Sequence, residues 1–260
     1  MRAMRLPSES LVSIDGTAGY VRLAALVTGV ALLASLVNRL GRLDHARDVL
    51  LAAARATLQL GVVGLVIAAV LRSWWLTLAF ILVMLMVASV TAGRRMTHEV
   101  SQWWATAPVW AGAVPVSALL LSSGLIPLRP IAIVPVLGIL IGGAMTATVL
   151  AGRRSLDALH QRHGEYEAAL SIGLLDRDAA MLVARGDASL ALVPGLDQTR
   201  TVGLVTLPGA FVGMLLGGAT PLQAAAVQLL VLVALMLVQA ICVVVTLELI
   251  ARKALAPSGR

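Results

Sequence analysis

Apolar residues run in long charge-free stretches, and polar residues gather in short clusters between them. The stretches cover residues 23–38, 56–71, 73–93, 106–128, 131–152 and 201–247. The last is too long for one membrane span. It is divided by Gly217, Gly218, Ala219, Thr220 and Pro221, a turn signal, into a hairpin of two. That makes seven spans of about 20 residues; six follow if the short second and third runs form a re-entrant hairpin. Arg22, Arg39, Arg55 and Arg72 at the edges of the shorter runs can snorkel to the interface. The expected fold is all-α, a polytopic integral membrane protein of about seven transmembrane helices with an amphipathic helical cytoplasmic loop.

Composition agrees with this pattern. Of 260 residues, 59% are hydrophobic and 13% charged, against about 45–50% and 25% in a soluble domain, which excludes an ordinary soluble enzyme. Lys and Arg total 20 against 13 Asp and Glu. The arginines are scattered between apolar runs, with no basic stripe of the nucleic-acid-binding kind. Placing the N-terminus outside and the C-terminus in the cytoplasm puts fifteen of the 20 basic residues inside, as the positive-inside rule requires. Trp74, Trp75, Trp103 and Trp104 then fall at span boundaries. The implied location is the inner (plasma) membrane, multi-pass. The order is an outside leader over 1–22, helices one to five over 23–152, a cytoplasmic loop over 153–200, helices six and seven over 201–250, and a cytoplasmic tail over 251–260. The leader carries Arg2, Arg5, Glu9 and Asp15 and no clean small-residue cleavage site follows the first run, so that run reads as a retained span.

The loop over 153–200 reads as two helices. Leu156, Leu159, Tyr166, Ala169 and Leu170 share a face of the first, 155–172, which Gly173 stops. Asp176 caps a second helix with Asp178 in its first turn, Gly186 at its end, and Ala179, Leu182 and Val183 as its apolar side. Such a loop either docks a soluble partner or lies on headgroups.

Chemistry-bearing residues are few. Cys242 stands alone, so no internal disulfide or thiolate cluster forms. His160 and His163, without a carboxylate or thiol, make a poor metal site, and none is predicted. No carboxylate lies at a span centre, where an ion-coupled carrier would place one; Glu248, at the inner end of the last span, pairs with Arg252. The only lysine, Lys253, follows no Gly-rich phosphate loop, so ATP hydrolysis belongs elsewhere and the chain is not an enzyme of that kind. The polar residues within spans, Thr57, Gln59, Thr146, Thr148, Thr206, Gln228 and Gln239, suit interhelical hydrogen bonds. Gly209, Gly213 and Gly217, and Gly138 with Gly142, form small-residue packing faces. Pro135 and Pro208 are expected to kink their helices.

Glu167-Ala168-Ala169-Leu170-Ser171-Ile172-Gly173 reads EAA-x-x-x-G and resembles the cytoplasmic signature of ABC-transporter permeases. The block VGLVTLPG over 202–209, the segment 133–145 and Arg55-Ala-Thr-Leu-Gln59 resemble the FetB-type family of iron-export permeases. The resemblance implies a permease homodimer on a separate ABC-type ATP-binding subunit, with ATP and Mg in that partner and no cofactor in this chain. It makes Glu167, Ala168, Ala169 and Gly173 the contact that couples to the ATPase. It places Gln59, Thr146, Thr206, Pro208, Gly209 and Gln228 along the pathway. Where the family pattern carries amides, this chain has Gly143, Thr146, Asp197 and Met214, which weakens the case for iron as cargo. The alternative reading is a non-transporting anchor or sensor that recruits a soluble partner through the same loop.

Overall fold

The computed structural model describes residues 16–96 and 104–252, in two compact units that divide after Ala69. The charges of the leader, His98, Trp103, Lys253 and most of the tail lie outside the described residues. Among those described, the regular elements are all helices.

The first unit is a helical hairpin of α1 (Gly16–Leu40) and α2 (Ala46–Val70). Each helix extends past its charge-free stretch because Arg39 and Arg55 are good helix formers. The turn between them uses Arg42 and Asp44 in left-handed conformations, and Ser35 Oγ donates to Ala46 O at 2.8 Å to tie the two helices. No residue of α1 is buried. A helix that is apolar all round and unburied is stable only in lipid or against protein.

The second unit is a bundle of α3 (Trp74–Met96), α4 (Thr106–Ser122), α5 (Pro130–Gln161) and α10 (Pro221–Ala251), with α5 and α10 at its centre. Leu140 of α5, Val109 of α4 and Val238 of α10 are fully enclosed. Helices close tightly at several glycines. A Cβ on Gly112 would lie 2.5 Å from Cys242 Sγ and 2.9 Å from Val238 O, and one on Gly152 would lie 2.6 Å from Met96 Cε. On Gly143 it would overlap Leu235 Cδ1. Thr220 and Gln223 form a reciprocal capping box where α10 begins, so the turn 217–221 falls where the sequence puts it.

Six helical segments are long and apolar enough to cross a membrane. Five coincide with predicted stretches, and α4 is a shorter apolar helix at a sixth. The remaining predicted span, 201–217, holds only the eight-residue α9 (Gly209–Leu216) after an irregular stretch. Pro208 stands before α9 as its N-cap rather than inside a helix, whereas Pro135 does lie within α5.

The segment after α5 also differs from expectation. No helix starts near 155, because nothing between Gly152 and Gln161 breaks α5, which runs on as one piece. The break comes at Arg162, and α6 (His163–Ser171) follows. α7 (Asp176–Ser189) passes through Gly186, since Val183, Ala184 and Ala188 on its buried side hold the helix there. Leu182, expected on that side, is 68% exposed. A 3-10 turn (Leu190–Leu192) leads into α8 (Val193–Thr201). Together residues 176–201 are the least apolar of the six candidate spans, with hydropathy 1.3. Arg177 meets Glu248 of α10 and Gly195 meets Gln239. These anchors lie about 13 Å apart along α10 but about 27 Å apart along the α7–α8 segment, so the segment crosses α10 obliquely.

Candidate functional site

The EAA-x-x-x-G stretch forms the end of α6 and its turn into α7. Glu167 and Ala168 are exposed, whereas Ala169 is buried at 4% exposure and anchors α6. Gly173 takes φ +96°, closing the helix with its N–H on Leu170 O while Leu174 N–H reaches Ala169 O. A residue with a Cβ is strained there, although no atom would obstruct it. The turn presents Ile172 and Leu175 at 79% and 72% exposure. Beside it lies a groove of about 620 Å³ lined by Leu174, Asp178, Met181, Leu182, Arg185, Gly186 and Ser189. The hairpin therefore offers an apolar knob, an acidic side chain and a recess on one protruding element.

Ion pairs fix this hairpin to the bundle. Arg162 donates to Val183 O at 2.6 Å and pairs with the Asp187 carboxylate, clasping α7 where α5 ends. Tyr166 Oη donates to Asp176 Oδ1 at 3.2 Å. Arg177 bonds both carboxylate oxygens of Glu248, at 2.8 and 2.7 Å, and Arg252 Nε reaches Oε1 at 2.6 Å. The Glu248–Arg252 pairing was legible from spacing; Arg177, distant in sequence, was not. Arg177→Glu is expected to free α7 from α10 and speed proteolysis within 162–190, and adding Glu248→Arg to restore protection. Protection that stays lost in the double variant would show that the pair does not hold α7.

The residues expected along the pathway fall on separate elements of the two units. Gln59 is exposed on α2 in the first unit. Thr146 is exposed on α5, its hydroxyl donating to Gly142 O at 3.0 Å. Thr206 is exposed in the irregular stretch before α9, with Pro208 and Gly209 next to it. Gln228 is buried at 6% exposure in the core face of α10, its Oε1 without a hydrogen-bond partner. A Cβ on Gly138 would lie 3.1 Å from Met84 Cε, whereas one on Gly142, Gly209, Gly213 or Gly217 would meet no other described element. Close approach occurs instead at Gly112, Gly143, Gly152 and Gly195, and Gly143 leads a row of buried small residues at four-residue spacing on α5, Ala147, Ala151 and Ser155. Cys242 donates its S–H to Pro108 O at 3.2 Å, joining α10 to α4. Among the described residues no group of three His, Cys, Asp or Glu side chains could hold a metal ion.

Residues 21–255 match the profile described as "Uncharacterised protein family (UPF0014)". The chain is 36% identical over 217 residues to the UPF0014 membrane protein STAR2 of Oryza sativa subsp. japonica, covering 82% of this chain and 75% of that one. It is 34% identical to the protein ALUMINUM SENSITIVE 3 of Arabidopsis thaliana, covering 82% and 79%. It is 27% identical to the probable iron export permease protein FetB of Escherichia coli (strain K12), covering 88% and 90%. No solved structure matches the chain. The exposed EAA turn, the all-helical multi-pass architecture and these relatives agree: this chain is a membrane protein of the UPF0014 family.

Proposed function

We propose that this chain is the permease subunit of an ATP-driven metal-ion exporter, acting as a homodimer on a separate ATP-binding subunit of the ABC type. The observation that carries the reading is the α6–Gly173–α7 hairpin. It projects Glu167, Ile172 and Leu175 to solvent while Arg162 and Arg177 lock its base to α5 and α10. A partner that moves the hairpin therefore moves the two central helices. In this reading the hairpin lies in the cytoplasm, the N-terminus is outside, and ATP and Mg bind the partner. The names of two relatives, one a probable iron export permease and one referring to aluminium, support a metal ion as cargo. Iron itself is less well supported, given the amides that Gly143, Thr146 and Met214 replace.

The test is purification of the chain from its native membrane in mild detergent, with mass spectrometry of what remains bound. A stoichiometric ATP-binding-cassette protein is expected, and Glu167→Arg is expected to weaken its retention at least tenfold without changing membrane insertion. A folded preparation that retains a different soluble protein in its place would favour an anchor or sensor and overturn the export reading.

A further inference from the structure

Polar groups hidden inside the second unit line up on its central helix. Gln228, Gln239, Cys242 and Thr246 fall within a sector of about 60° on α10 and span about 27 Å along it. That is close to the thickness of a hydrocarbon core, about 30 Å. All four are buried. α5 adds Thr148 and Ser155, two turns apart on one face and fully enclosed, and Thr148 lies against Cys242. The Gln239 amide sits where α5 and α8 meet α10, beside Gly143 and Gly195.

These groups do not satisfy one another. Gln228 Oε1 and the hydroxyls of Ser155 and Thr246 find no hydrogen-bond partner among the described residues, and the Thr148 hydroxyl has only the weak Cys242 thiol beside it. Helical hydroxyls elsewhere behave differently: those of Thr57, Thr77, Ser89 and Thr146 each donate to a carbonyl four residues back. Interhelical hydrogen bonding, the common use of polar residues within a span, therefore does not explain the stripe. Valine would fill the space of either threonine without stranding a hydroxyl, which is costly in a packed core. Polar side chains turned into the interior of a membrane bundle mark permeation routes, where they face water once the helices part.

The stripe is interrupted by a seal. Over the roughly 16 Å between Gln228 and Gln239, this face of α10 carries Val231, Leu232 and Leu235, all buried. Leu235 Cδ1 presses into Gly143 of α5, where even a Cβ would overlap it. An apolar constriction between polar sections keeps a closed passage dry.

We propose that the α5–α10 interface is the permeation route in its closed state, lined by Gln228, Gln239, Thr148, Thr246 and Ser155 and sealed by Leu235 against Gly143. Its lining is neutral and rich in oxygen, which suits a partly hydrated hard cation. The identity of the traffic rests on the export reading, but the test does not use transport.

Cys242, the chain's only cysteine and fully enclosed, reports whether water enters. Wild type, Leu235→Ala and the milder Leu235→Val are checked for monodispersity in detergent. Membrane fragments open on both faces are then treated with a positively charged methanethiosulfonate reagent, and modification is read from intact mass. Leu85→Ala, an equal truncation on α3, which packs against α4 and α5, is the control. Leu235→Ala is expected to speed modification of Cys242 at least tenfold and Leu235→Val at least threefold, with Leu85→Ala within twofold of wild type. Adding Thr148→Val and Thr246→Val to either Leu235 variant is expected to slow the reaction threefold or more. Leu235 variants no faster than Leu85→Ala, or rates indifferent to the two valines, would overturn the proposal. Variants that label as expected in a chain that retains no ATP-binding subunit would remove the export reading and leave this route standing.

Discussion

Gly112→Ala is expected to lower the stability of the folded chain by about 2 kcal/mol, the scale of overpacking a tight core. The added Cβ would meet Cys242 Sγ at 2.5 Å and Val238 O at 2.9 Å. The sulfur could move a little; the carbonyl belongs to the backbone of α10 and could move only with the helix. This contact is also where Cys242 donates to Pro108 O, so displacing α10 from α4 costs a buried hydrogen bond as well. Adding Cys242→Ala should recover only part of the loss, because the clash with Val238 O remains. Monodispersity by size exclusion after graded heating measures both variants. Full recovery in the double variant would assign the whole cost to the sulfur and refute the backbone argument.

On the proposed coupling to an ATP-binding subunit, Gly173→Val is expected to separate ATP hydrolysis from transport. At φ +96° a β-branched residue is strained by about 1–3 kcal/mol, which exceeds what the short α6 can absorb, so the turn would rearrange. No neighbouring atom blocks a side chain there, so the effect is conformational rather than steric. Gly173→Asn, which tolerates left-handed geometry, should therefore retain more function. A tenfold or greater fall in transport for valine, with the asparagine variant between valine and wild type, is the expected order. Equal loss in both variants would point to crowding by the partner surface instead.

Helical class, most span positions and the stop at Gly173 were legible because each depends on local pattern. Arg22 and Arg39 bracket an apolar run, and Gly173 follows a helical face directly. The turn at 217–221 was legible for the same reason. What local pattern could not show was long-range. The ion pair of Arg177 with Glu248 joins residues far apart in sequence, and the buried Leu235–Gly143 and Gln239–Gly195 contacts depend on how helices cross. The sixth stretch misled because composition does not distinguish a spanning helix from an apolar run with a break; the glycine and proline of VGLVTLPG mark the break. Gly209 and Gly213 lie on α9 and Gly217 caps it, and a Cβ added at any of them would meet no other described element.

The unbroken length of α5 gives the molecule a mechanical element. From Pro130 to Gln161 it is a single rod about 48 Å long. Leu235 presses on it at Gly143, about 20 Å from one tip and about 27 Å from the other. Met84 and Met96 also close on it, at Gly138 and Gly152, so the rod is gripped at three levels by two different helices. A displacement of its Gln161 tip through Arg162 therefore reaches α3 and α10 together, as a shift of the whole bundle core and not as the motion of one end.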